Sequence, residues 1–356
     1  MGSRVARGPR LASLLGVLLA PPVTLLALGT TAAAGPALCF GLAPTITKGD
    51  GDNVINGTPG DDVIIAGGGD DVVKGRGGDD AICGGPGADD LSGGDGGDQI
   101  AGEGGSDLLS GGRQADTLVG HKQSNDGNVS GGGNDTLRGG RGGDFMIGDS
   151  FSGTGTSTGG GDDLLQGGRG QDVMIGDSSS TTSTSNGAGR DRLEAGRGSD
   201  FAIGDSQSTA SASSTGGARD HIAGGRGDDF LIGDSQGTSS SSSGGDRDVI
   251  TGGSGEDFLI GDSQSTSMTA SGAGKDTIVG GADSDLLWGD SRQGGSLGAG
   301  GAADVLRGGD GPADQLFAGR GADQLDGGRG GADHCDGGPD TKPDTAKRCE
   351  SEADIP

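Results

Sequence analysis

Between Gly57 and Val119 the chain repeats a nine-residue unit seven times without losing register. The sixth place of successive units is held by Asp62, Asp71, Asp80, Asp89, Asp98, Asp107 and Asp116. The eighth place is always aliphatic: Ile64, Val73, Ile82, Leu91, Ile100, Leu109 and Leu118. Glycine fills most of the first, second and fourth places, as in GGPGADDLS and GGDGGDQIA. A period this short fixes the architecture before any other feature is weighed. The glycine-rich first six residues suit a tight turn, because glycine accepts positive φ and close backbone approach. The last three can extend as one short strand whose middle residue alone points inward. Two units then make one coil, with a turn on each edge.

Stacking such coils in parallel sets each aspartate over its counterpart one coil away. Carboxylates at the roughly 5 Å spacing of neighbouring strands repel unless a cation lies between them. Carboxylate and turn-carbonyl oxygens are hard, adaptable ligands that suit calcium better than zinc or copper. The units resemble the RTX, or hemolysin-type, calcium-binding nonapeptide GGxGxDxUx, and the resemblance runs from Lys48 to about Asp336. It implies an all-β fold: a parallel β-roll, or β-solenoid, with two short strands per coil and several calcium ions between successive turns. The ligand role carries over to the aspartates at the matching sixth places.

Lys48 to Asn56 reads as a degenerate first unit, with Asn53 at the ligand place and Ile55 at the core place. A polar loop, residues 120–129, interrupts the array, and from 130 to 298 a longer period of roughly 28 residues takes over. It consists of two nonapeptides and a ten-residue Ser/Thr/Gly-rich insert that opens with Gly-Asp-Ser at Gly148, Gly176, Gly204, Gly233, Gly261 and Gly289. The paired ligand candidates are Asp135 and Asp144, Asp163 and Asp172, Asp191 and Asp200, Asp220 and Asp229, Asp248 and Asp257, and Asp276 and Asp285. One insert per coil means that all inserts leave on the same edge, and a column of loops is expected there. The Gly-Asp-Ser aspartates, Asp149, Asp177, Asp205, Asp234, Asp262 and Asp290, either add a ligand or end the strand.

Second units of each pair end in three apolar residues, such as Phe145-Met146-Ile147 and Phe230-Leu231-Ile232, whereas first units end in mixed ones, such as Arg192-Leu193-Glu194. Since alternate strand residues face opposite sides, one sheet is apolar on both faces, and its outer face is expected to be covered by the inserts or by another molecule, the alternative being a sparse surface stripe without a role. Past residue 299 the spacing loosens, although Asp304, Asp314 and Asp323 keep ligand places to residue 335. Residues 336–356 read as a cap with a polar tail.

Composition bounds what else the chain can be. With 86 Gly in 356 residues, 2% aromatic content and a net charge of −27, it cannot build an ordinary globular core. One aliphatic side chain per nine ordered residues is too little apolar burial to offset the lost backbone entropy, so folding is expected to depend on calcium. Only five of the 52 acidic residues are glutamate, which fits turn chemistry better than a generic acidic surface. Without a basic patch in the sequence, nucleic acid is not an expected partner. His121, His221 and His334 are isolated, HExxH and GxSxG are absent, and repeats fill the chain, so no enzyme is expected.

Residues 1–34 read as a secretory signal peptide, with Arg4, Arg7 and Arg10 before an apolar run and Ala32-Ala33-Ala34 at its end, followed by a short N-terminal cap, 35–47. The mature chain is then expected outside the cell, without a membrane span and with the cell surface as one possible location. Its partners would be calcium ions and, in an adhesive or scaffolding reading, a protein, a surface or a second copy of itself met through the loop column or apolar stripe. Cys39, Cys83, Cys335 and Cys349 allow three pairings. Cys39 with Cys83 and Cys335 with Cys349 would staple the two ends of the array, where a solenoid needs protection.

Overall fold

The computed structural model describes residues 38–355 apart from 125–126, 210–212, 238–240, 266–268, 294–295 and 340–341. The leader expected at 1–34 lies outside the described residues. No described helix is long and apolar enough to cross a membrane. The regular structure is strands, and they stack as the nonapeptide period requires.

First units of each coil contribute to one parallel sheet of 13 strands, running from Val54–Asn56 to Thr345–Lys347. Second units contribute to a parallel sheet of 14 strands, from Ile46–Thr47 to Ser351–Ala353. Register follows the repeat: Leu91 pairs with Leu109, eighteen residues on, and Leu109 with Leu137, twenty-eight residues on. The longer period thus joins the shorter one without a slip. Eighth-place side chains meet between the sheets in one dry core, in which Ile64, Leu91, Leu109, Leu137, Met146, Leu165 and Met174 are fully buried. Residues 336–356 also extend the roll, since Thr345–Lys347 and Ser351–Ala353 add the last strand of each sheet.

The inserts are not loops. Each supplies two short strands, such as Ser179–Ser180 and Ser185–Asn186, and these stack into further sheets of eight and seven strands. The physical reason is the once-per-coil spacing. Every insert finds an equivalent segment beside it, so backbone groups that a lone loop would leave to water are paired. Side chains reinforce the stack: Gln207 Nε2 donates to Gln236 Oε1 at 2.9 Å, Gln236 Nε2 to Gln264 Oε1 at 3.1 Å, and Ser180 Oγ to the Gly155 carbonyl at 2.8 Å.

This second layer covers the ninth place of the apolar sheet. Ile147, Ile175, Ile203, Ile232 and Ile260 face away from the core, yet all are fully buried, in a cluster that takes in Phe151 of the first insert. Seventh-place residues lie nearer the rim: Phe201, Phe230 and Phe258 stack with ring centroids 5.3 and 4.8 Å apart. Before the inserts begin, the N-terminal segment does the covering. Cys39 is buried against Ala81, Cys83 and Ala101 and bonds to Cys83 with a Cα separation of 5.8 Å. Cys335 bonds to Cys349 across 5.9 Å, so the expected pairing is the one formed.

Candidate metal centre

The turns place the sixth-position aspartates in two columns, one along each edge. The plain edge, free of inserts, carries Asp62, Asp80, Asp98, Asp116, Asp144, Asp172, Asp200, Asp229, Asp257, Asp285 and Asp314, each no more than 5% exposed. The other column contains Asp71, Asp89, Asp107, Asp135, Asp163, Asp191, Asp220, Asp248, Asp276, Asp304 and Asp323, equally buried, and from Asp135 on it runs beside the inserts.

One oxygen of each carboxylate is committed to the backbone. Oδ1 of Asp80 accepts the N–H of Asp62 at 2.8 Å, and Oδ1 of Asp200 accepts the N–H of Asp172 at 2.8 Å. The same bond links Asp135 to Asp163 at 2.6 Å and Asp220 to Asp248 at 2.8 Å. Each turn is therefore tied to the next by a charge-assisted hydrogen bond. The second oxygen is left over. Oδ2 is buried and without a hydrogen-bond partner at Asp80, Asp98, Asp144, Asp172, Asp200 and Asp229 on the plain edge, and at Asp89, Asp107, Asp135, Asp163, Asp191 and Asp220 on the other. Asp62 differs, because its Oδ2 takes the Thr58 N–H at 2.6 Å.

The column also extends further than the spacing suggests. Asp333 and Asp344 are buried in line, with Asp333 Oδ1 accepting from the N–H of Asp314 and Asp344 Oδ1 from that of Asp323, both at 2.9 Å. Extra residues in the last turns hide them from a strict nine-residue count, and only their place in the turn recovers them. Asn53 begins the insert-side column, donating its N–H to Asp71 Oδ1 at 2.7 Å.

The Gly-Asp-Ser aspartates belong to the site. Asp149, Asp177, Asp205, Asp234, Asp262 and Asp290 are all 0 or 1% exposed and stand between successive members of the insert-side column. Carboxylate oxygens of Asp135, Asp149 and Asp163 lie within 4.8 Å of one another, as do those of Asp163, Asp177 and Asp191. Around them the backbone adds further oxygens. A Cβ placed on Gly176 would fall well inside 3.0 Å of both Asp191 Oδ2 and the Gly204 carbonyl, so the bare Cα leaves two oxygens converging on one spot. Ala66, Ala195 and Ala318 show that a methyl fits at the first place of some other units.

Burial without compensating positive charge makes these acids weak. Desolvation raises Asp80, Asp89 and Asp98 to about 6, and Asp107 to about 7. Beside the inserts, desolvation and then the charges of neighbouring aspartates raise Asp149 to about 10, and desolvation, with Asp135 and Asp177 adding to it, raises Asp163 to about 9. Asp191, Asp205, Asp220 and Asp234 are pushed well above the ordinary carboxylate range for the same reasons. A stack of buried, unpaired anionic oxygens with carbonyls around it is the donor set of a hard divalent cation. The residues fit calcium, which would bridge carboxylates that otherwise repel.

No curated protein matches this chain. The RTX calcium-binding nonapeptide repeat matches residues 49–82, 84–118, 129–154, 157–180, 185–208, 214–236, 242–266, 271–291, 298–332 and 313–340. These matches span well over half of the sequence, and the chain belongs to the family built from RTX calcium-binding nonapeptide repeats.

Proposed function

We propose that this chain is an exported calcium-binding module whose roll becomes ordered as cations enter both aspartate columns. The sixth-position aspartates named above are the ligands in this reading, joined on the insert side by Asp149, Asp177, Asp205, Asp234, Asp262 and Asp290. The observation that carries it is the run of buried Oδ2 atoms without a hydrogen-bond partner, repeated coil after coil. Ionised and unbridged, those groups oppose folding, and a divalent ion reverses the sign of their contribution. Because the ion binds the folded turns and not the unfolded chain, its binding free energy becomes folding free energy. Many weak sites of this kind suit the millimolar calcium of an extracellular setting, which agrees with the leader read at residues 1–34.

The chemistry here is binding, and no catalytic step is assigned to it. Equilibrium dialysis of the disulfide-intact chain against calcium, with magnesium as competitor, tests the proposal. Several calcium ions per chain, retained against excess magnesium, are expected. Fewer than two ions per chain would overturn it.

A further inference from the structure

The sequence contains no run of basic residues, but the coiling assembles one. Arg113, Arg141, Arg169, Arg197 and Arg226 pair in register on consecutive strands of the first-unit sheet. Successive guanidinium groups are therefore attached about 4.8 Å apart, the spacing of neighbouring strands. All five are exposed, and they line one shallow groove of about 1250 Å³ along the plain edge. Arg113 makes an ion pair with Asp95 at 3.2 Å, while no ion pair occupies the other four among the described residues.

The turn places nearest the first four arginines are also cleared of exposed acids. Over the coils of Arg113, Arg141, Arg169 and Arg197 the fifth position on this edge reads Ala115, Gly143, Gln171 and Ser199, whereas acids stand there at Asp61 and Asp79 before them and, from the coil of Arg226 onward, at Asp228 and Glu256. In a chain of net charge −27, a row of five exposed arginines, with Arg113 alone ion-paired among the described residues and only Arg226 beside an acidic fifth place, is a local reversal of field. Cations in the aspartate columns would remove much of the opposing negative charge.

We propose that this row is a docking strip for a linear anionic polysaccharide bearing one carboxylate or sulfate per sugar. The strand spacing is close to the length of one pyranose in an extended chain, so successive anionic groups meet successive guanidinium forks. Arginine suits this use because its fork binds carboxylate or sulfate through two parallel hydrogen bonds. Single-stranded nucleic acid fits less well. The outer face of this sheet carries no phenylalanine, tyrosine or tryptophan on which bases could stack, and a duplex backbone curves away from a straight row.

Three arginines can be tested together, because the next coil already has Ser254 where Arg226 stands. In calcium, the R141S/R169S/R197S chain should keep the circular dichroism of the parent, which separates this proposal from the calcium-dependent fold. Its affinity for a size-defined heparin oligosaccharide or oligogalacturonide should fall about tenfold or more, as expected for losing several exposed charge pairs. A K48S/K74S/R307S chain, with the same charge change away from the row, should bind like the parent. Equal weakening by both variants, no binding by the parent, or tighter binding of oligo(dT) than of either saccharide would overturn the proposal. A sulfated or a carboxylated chain binding alone would identify which anion the strip takes.

Discussion

The two edges of the same coils carry the same repeat yet hold their carboxylates differently. On the plain edge Asp172, Asp200 and Asp229 are raised to about 7, and Asp257 and Asp285 to about 8, chiefly by desolvation. On the insert edge Asp163 reaches about 9 and Asp149 about 10, while Asp177, also desolvated but accepting the Gly189 N–H at Oδ2, is held at about 6. In the insert-free coils the contrast vanishes, since Asp80 and Asp89, on opposite edges, are both near 6. The insert, not the edge, makes the difference. It brings one further carboxylate per coil and a layer that excludes water from both. The nonapeptide alone makes a column of moderately unhappy acids, and the insert turns one column into a site with a much stronger demand for cations.

The largest expected effect is on the metal-free chain as pH changes. An aspartate that ionises near 3.8 when unfolded and near 7 in the roll keeps its proton longer in the folded state. Each such group is neutral to stability below about pH 4, and it opposes folding increasingly as pH rises to its folded value. In chelator, β content should be greatest near pH 4 to 5 and fall between about pH 5 and 8, with insert-bearing coils continuing to lose stability at higher pH. Circular dichroism against pH checks this, and a metal-free roll that gains stability across that interval would break the comparison. In calcium the trend should reverse, because ligands must be deprotonated to bind.

Next in size is the cover over the insert side. Ile232 is fully buried beneath the insert layer, whereas Ile65, at the same ninth place in an insert-free coil, is only half-buried. Ile232→Ala should cost about 2 to 4 kcal/mol in calcium-loaded denaturation, and Ile65→Ala about 1 kcal/mol. Equal losses would mean that the inserts do not seal the face. A smaller effect is expected from the ligands themselves. D177N/D205N should raise the calcium midpoint about tenfold, equivalent to about 1.4 kcal/mol, with D172N/D200N producing a lesser shift. Calorimetric titration distinguishes the two, and the reverse order would place the more demanding sites on the plain edge. Smallest of all is the surface pair Arg190–Asp162, 2.9 Å long and well exposed on both sides, whose removal by Arg190→Ser should change stability by less than about 1 kcal/mol.

Much of this is legible in the sequence. The eighth-place aliphatics, the coil of two units and the stacking of sixth-place aspartates follow from one period, because a nine-residue repeat leaves few ways to bury one side chain per unit. The covering of Ile147 and its counterparts, by the inserts or by another molecule, could be anticipated from three apolar residues in a row, though not which of the two does it. The strands of the inserts escaped because Ser179-Ser180 has no strand pattern of its own, and its pairing exists only once coils align. Register also hides the arginine row, whose members are 28 or 29 residues apart in sequence. Asp333 and Asp344 were lost to extra residues in the turns, which shift the count without shifting the carboxylate.

The central claim is that cations between stacked carboxylates hold the roll together. Far-ultraviolet circular dichroism of the disulfide-intact chain, chelated at neutral pH and then titrated with calcium or magnesium, tests it most directly. A cooperative gain of β signal with calcium, and not with magnesium at equal concentration, is the expected result. A full β spectrum in chelator that calcium leaves unchanged would contradict it, because the buried Oδ2 columns would then be stable without any bridging ion.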